Sequence, residues 1–168
     1  PSIWVLYTTY RYGWTELQTG LSLAAVGVMA GMVQGGLTKR VVGWLGEQKT
    51  VRYCLTLSIF LYAAYGLATQ PWMIYVCIVI GSLSGLVTPA VQSLMSQGVP
   101  ADEQGALQGS LSSLSSVAGV AGPLLCTQLF GFFIAEKAPV IMPGAPFFLS
   151  SAMMMLALFI AVPALKRI

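Results

Sequence analysis

Five apolar runs, each long enough to cross a bilayer and free of Asp, Glu, Lys and Arg, constrain this chain more than any other feature. A membrane-spanning helix takes about 20 mostly apolar residues, so the length of 168 residues allows five complete spans and part of a sixth. Only 8% of the residues are charged and 57% are hydrophobic, against about 25% charged in a soluble domain. Transmembrane β-strands would show polar residues alternating within ten-residue segments, whereas these runs are continuous and rich in Leu, Ala, Met and Gly. The fold class is therefore an all-α integral membrane protein, a helical bundle.

Charge divides the bundle, because an ionised side chain is costly at the bilayer centre. The eight basic and five acidic residues all fall in joints or at span ends. Spans are expected over about Gln18–Leu37, Tyr53–Thr69, Trp72–Met95, Leu107–Phe133 and Pro146–Leu165. Pro1–Thr9 is apolar but too short to cross and reads as the tail of a longer helix. With no initiator Met and no signal peptide, a piece of a larger chain is the expectation. Lys39, Arg40, Lys49, Arg52, Lys166 and Arg167 fall on one side, Arg11 and Lys137 on the other. The excess of basic residues on cytoplasmic loops then places the Thr38–Arg52 joint and the C-terminus in the cytoplasm. Trp4, Tyr10, Tyr12, Trp14, Trp44 and Trp72 lie near the resulting interfaces, where amphipathic rings prefer to sit.

Several chemistries are excluded. The net charge of +3 is scattered over membrane joints and makes no stripe for nucleic acid. There is no histidine, and Cys54, Cys77 and Cys126 lack CxxC spacing. Neither a metal site nor a cofactor is expected, and the cysteines read as small hydrophobes. The serines have no basic partner nearby in the sequence, so a nucleophile–base pair is missing and an enzyme has little support.

The faces of the spans carry the remaining information. Helices in lipid associate through small residues that let backbones approach. Gly20, Ala24, Gly27, Gly31 and Gly35 form such a stripe, and Gly81 and Gly85 repeat it ahead of Thr88 and Pro89. Proline at that depth removes a backbone hydrogen bond and either serves packing or shapes a cavity. The Leu107 span sets Leu107, Leu111, Leu114, Ala118, Ala121 and Leu125 against Gln108, Ser112, Ser115, Ser116 and Gly119. That polar face meets another helix or a water-filled path, although serines also bond their own preceding turn. Gln34 and Gln92 point more strongly to a polar site, since an amide has several bonds to satisfy; an interhelical hydrogen bond is the plainer alternative. Met29, Met32, Met73, Met95 and Met153–Met155 either line an adaptable surface or fill space. Asp102 and Glu103 suit the positive end of the next helix.

Taken in order, several segments resemble the C-terminal half of the major facilitator superfamily, in its tetracycline-type and multidrug efflux branch. Trp4-Val5-Leu6-Tyr7-Thr8 and Arg11-Tyr12-Gly13-Trp14 resemble the end of the family's seventh helix and its outer loop. Gly20-Leu21-Ser22-Leu23-Ala24 through Gln34 resembles helix eight, and Gly36-Leu37-Thr38-Lys39-Arg40 with Leu45-Gly46-Glu47 resembles the second-half echo of the basic loop between helices two and three. Pro89-Ala90-Val91-Gln92 resembles helix ten. Gln104-Gly105-Ala106-Leu107-Gln108-Gly109 and Gly119-Val120-Ala121-Gly122-Pro123-Leu124-Leu125 resemble helix eleven. The likeness runs from Pro1 to about Thr127.

The resemblance implies a six-helix half with its first helix truncated, whose N-terminal half would complete a central site exposed alternately to each side. A small-molecule substrate, surrounding lipid and that N-terminal half are the implied partners, and the bacterial inner membrane the implied location. Gln34 and Gln92, with Ser112 and Ser116, become substrate-cavity candidates; Lys39, Arg40, Gly46 and Glu47 belong to a cytoplasmic gate or to a solvated loop. Gly27, Gly31, Gly81, Gly85, Pro89, Gly119, Gly122 and Pro123 are packing or kink positions. Tetracycline pumps of this branch carry a histidine in helix eight and an acidic residue in helix nine, where ungapped alignment places Ala30 and Ser58. With no ionisable group inside any span, proton coupling is expected to reside in the N-terminal half, and this chain alone is not expected to transport. The rival reading is a non-transporting helix-bundle subunit whose glycine stripes mediate assembly.

Overall fold

The computed structural model describes residues 2–135 and 138–165. Its helices are α1 (Ser2–Tyr12), α2 (Glu16–Met32), α3 (Thr38–Leu45), α4 (Glu47–Leu67), α5 (Pro71–Gly81), α6 (Val87–Gln97), α7 (Gln104–Ile134) and α8 (Ala145–Leu165). A π-helical turn over Val33–Leu37 joins α2 to α3, and a 3-10 turn over Ser82–Leu86 joins α5 to α6. Five continuous stretches, Glu16–Leu45, Glu47–Leu67, Pro71–Gln97, Gln104–Ile134 and Ala145–Leu165, are long and apolar enough to cross a membrane. The described residues contain no strand. Lys137, Lys166 and Arg167, which entered the charge-based orientation, lie outside them.

The expected joint from Thr38 to Arg52 is corrected to nearly continuous helix. Only Gly46 breaks it, at φ 76°, a left-handed conformation that glycine adopts without Cβ strain. Lys39 and Arg40 thus ride on a helix, and Arg52 lies in the second turn of α4.

Two local irregularities have identifiable causes. Gly35 and Gly36 are weak helix formers, and here the ladder widens so that the Thr38 N–H and its hydroxyl, the latter at 3.1 Å, both donate to the Val33 carbonyl. Pro89 has no N–H for the Gly85 carbonyl and its ring crowds that position, so the preceding turn tightens and Val87 donates to Ser84. Polar caps finish the termini. Thr15 and Gln18 form a reciprocal box at the start of α2, as expected of a hydroxyl and an amide three residues apart, and Pro71 opens α5 where a missing N–H is harmless.

α4 is the central post, packed against α3, α5, α6 and most extensively α8. Its last carbonyls would be orphans in lipid, where no water replaces the lost partner. Two tyrosines of α1 satisfy that end, Tyr7 donating to the Tyr65 carbonyl and Tyr12 to the Ala68 carbonyl, each at 2.8 Å. Around them Trp4, Tyr7, Tyr65 and Phe147 stack edge to face or tilted, with the Tyr7 and Phe147 centroids 4.7 Å apart. A hydroxyl network ties α1 to α2: Trp4 Nε1 donates to Ser22 Oγ at 2.9 Å, and Thr8 and Thr19 share a bond of 3.3 Å. At the opposite end Val51, Leu55, Ala90, Leu94 and Leu165 form a separate aliphatic core.

Close approach depends on glycines only in part foreseen. A Cβ on Gly144 would run into the Gly66 carbonyl oxygen, and one on Gly81 would lie 2.6 Å from Leu61 Cδ2. Leu61 of α4 thus packs directly against the bare backbone of Gly81. Around Gly27, Gly31, Gly85, Gly119 and Gly122, however, a Cβ meets nothing within 4 Å. The space beside these five positions is open among the described residues, and Gly85 lines a cavity.

Candidate functional site

Gln34 sits in the π turn and Gln92 on α6, and the structure brings both to one recess of about 410 Å³. Thr38, Gly85, Thr88 and Pro89 complete its lining. The two backbone irregularities flank it: the π turn carries Gln34, and the 3-10 turn ends just before Thr88, one helical turn ahead of Gln92. Non-regular backbone at membrane depth is tolerated where it lines a cavity.

Both glutamines are exposed, and neither amide forms a hydrogen bond to another described residue. Among the described residues, therefore, no interhelical hydrogen bond to either amide is made. Four amide donors and two carbonyl acceptors face a wall that also offers two threonine hydroxyls, with no charged group among the six residues. Such a surface matches neutral polar functions without demanding a counter-ion.

Ser112 and Ser116 are not part of this recess. They lie on the exposed length of α7, where Ser116 Oγ donates to the Ser112 carbonyl at 2.9 Å. Ser110 and Ser113 do the same to Ala106 and Gly109. Ser110, Ser113 and Ser116 thus satisfy their hydroxyls within their own helix, and Ser112, Ser115 and Ser116 are exposed. Pro123 lies inside α7, where Thr127 Oγ1 bonds its carbonyl at 2.8 Å.

At the Gly46 end, Lys39 and Arg40 are exposed, while Glu47 is half-buried. The Glu47 carboxylate accepts from the Ser93 hydroxyl and from Gln97 Nε2 at 3.0 and 2.9 Å. A polar clamp therefore holds the start of α4 to the end of α6. Ser93 and Gln97 were not among the expected gate residues, nor Thr38 and Thr88 among the cavity candidates. Their signal was spacing: Thr88 and Gln92, like Ser93 and Gln97, stand four residues apart and share a helix face.

A second cavity, of about 390 Å³, lies between α2, α4, the 3-10 turn and α8. Ala30 and Ser58, the positions at which the resemblance implies ionisable groups in tetracycline pumps, both line it. Gly85 and Thr88 line both cavities, so the two adjoin.

The Major Facilitator Superfamily pattern matches residues 2–123. The chain belongs to the major facilitator superfamily. Among the relatives of this superfamily member, the class G tetracycline resistance protein of Vibrio anguillarum is 34% identical over 77% of the chain and 33% of its own length. The class B tetracycline resistance protein of Escherichia coli is 31% identical over 77% of the chain and 32% of its length. Hippocampus abundant transcript-like protein 1 of Bos taurus is 25% identical over 96% of the chain and 35% of its length. The chain thus spans about a third of the length of these curated relatives. No solved structure matches it. Family and helical architecture agree with the expectation of a major facilitator bundle of the tetracycline-efflux type.

Proposed function

We propose that this chain is the second six-helix half of a secondary active transporter that exports small amphipathic compounds by alternating access. The observation that carries the reading is the meeting of Gln34 and Gln92, unpartnered and from separate helices, in one uncharged recess bordered by irregular backbone. Two helices that each break regularity beside the same polar recess fit a site that must change its surroundings as the halves rock. Proton coupling then resides in the N-terminal half, because the carboxylates of this chain, Glu16 and Glu47 among them, stand at or beyond the ends of its spans.

In this reading the Gly46 end and the C-terminus face the cytoplasm of a bacterial inner membrane, and the Glu47–Ser93–Gln97 clamp with Lys39 and Arg40 forms the cytoplasmic gate. Ser112 and Ser116 face the central opening from α7. Tetracycline is disfavoured as the substrate by Ala30 and Ser58, and a less charged compound fits better.

The test is energised efflux in everted vesicles containing the complete gene product. Dissipating the pH gradient abolishes export, and the double substitution Gln34→Ala/Gln92→Ala lowers it by about tenfold or more, since two amide contacts are lost together. Unchanged efflux from the folded double variant sinks the proposal. Residues 1–168 alone, in sealed vesicles, are expected to transport no better than empty vesicles.

A further inference from the structure

The cavity of about 390 Å³ is built entirely from this chain, so it needs no second half to exist. A cavity of about 150 Å³ already holds a benzene ring; this one has room for two rings. None of its lining residues carries a charge, so an ionised ligand would shed its hydration shell and find no counter-ion, which is unfavourable in an apolar surround.

Its hydroxyls are not equivalent. Ser58 donates to the Cys54 carbonyl at 2.8 Å and Ser82 to the Val79 carbonyl at 2.7 Å. Ser84 Oγ is buried and has no hydrogen-bond partner among the described residues. A buried hydroxyl without a partner is unfavourable, and rotation about one side-chain bond, among staggered positions, presents it to a ligand acceptor. On the cavity wall only Met154 represents the methionine run; Met153 and Met155 are each 59% exposed on the outer side of α8.

We propose that this cavity binds an uncharged two-ring molecule whose carbonyl or ether oxygen accepts a hydrogen bond from Ser84. Through the shared wall at Gly85 and Thr88, the polar end of the same compound reaches Gln34 and Gln92. Binding in the cavity stands without the carrier reading; its part in substrate choice rests on that reading.

The test uses the protein in proteoliposomes and two photoreactive probes of one skeleton, uncharged benzophenone and anionic 4-benzoylbenzoate. Excited benzophenones insert into nearby C–H bonds and favour methionine side chains, so peptide mapping separates cavity from lipid. Expected is saturable labelling of Met154 over Met153 and Met155 by benzophenone, with about tenfold less from 4-benzoylbenzoate. Ala30→Phe, which fills the cavity, lowers Met154 labelling about tenfold, and Ser84→Ala weakens half-saturation about fivefold. If Ala30→Phe does not fold, Val26→Phe on the same wall replaces it. Labelling that rises without saturation, falls equally on the three methionines, or persists in the filled variant overturns the proposal. Saturable Met154 labelling in a complete gene product whose efflux is unchanged by Gln34→Ala/Gln92→Ala keeps the site and sinks the carrier reading. Wild-type export by a folded, unlabelled Ala30→Phe protein keeps both the site and the carrier reading and overturns the cavity's part in substrate choice.

Discussion

Helices α4 and α7 are both long and apolar, yet they live in different surroundings. α4 buries Thr50, Val51, Cys54, Leu55, Ser58, Leu61 and Tyr65, while α7, ten residues longer, buries only Phe130. The less buried helix is the more apolar one. In water that order would be paradoxical. In a bilayer lipid tails serve an exposed Leu as well as a neighbouring helix does, so burial follows close fit and polar satisfaction. α4 has both, through glycine contacts with α8 and α5 and through tyrosines at its end. α7 turns the hydroxyls of Ser110, Ser113, Ser116 and Thr127 onto its own carbonyls.

Backbone contact offers the sharpest way to break this contrast. Gly144→Val drives a side chain into the Gly66 carbonyl and is expected to cost about 3 kcal/mol or more, read as loss of the monodisperse peak in fluorescence-detected size exclusion. Gly119→Val on α7, where a Cβ meets open space, leaves that peak in place. Equal damage from both would mean that α7 is packed as tightly as α4.

Side-chain contact comes next. Gly81→Ala places a methyl against Leu61 and should cost about 1–3 kcal/mol, with Leu61→Ala in the same chain recovering part of the loss. A thermal-melt double-mutant cycle measures the coupling; strict additivity of the two substitutions would refute the contact.

Single hydrogen bonds give smaller effects. Tyr7→Phe removes the donor to the Tyr65 carbonyl and lowers stability by about 1 kcal/mol, readable as a lower denaturation midpoint in mild detergent. Ser116→Ala deletes a bond that stays within α7, and its midpoint is expected to move by less than about 0.5 kcal/mol. A larger shift would assign the serine face a partner.

Much of the bundle was legible because hydropathy and charge act residue by residue. The spans around Gln18, Tyr53, Trp72, Leu107 and Pro146 all fall on helical stretches, whereas the break at Gly46 between α3 and α4 lay inside what reads from sequence as a longer joint. Gln34 and Gln92 stood out as amides at membrane depth, and they line one recess. Gly66 and Gly144 were not legible: Gly66 belongs to no stripe, and its partner lies 78 residues away. The Glu47–Ser93–Gln97 clamp was hidden for the same reason, since no local pattern pairs an acid with a hydroxyl and an amide more than 40 residues on.

The sequence by itself determined that this protein is helical and which family it belongs to, because water-to-lipid transfer and backbone satisfaction are properties of each segment alone. Only the tertiary structure decided which glycines touch, which hydroxyl is left without a partner, and which polar residues share a recess. In a solvent as apolar as the side chains, those choices depend on the fit between pairs of surfaces, and that fit exists only once the helices have met.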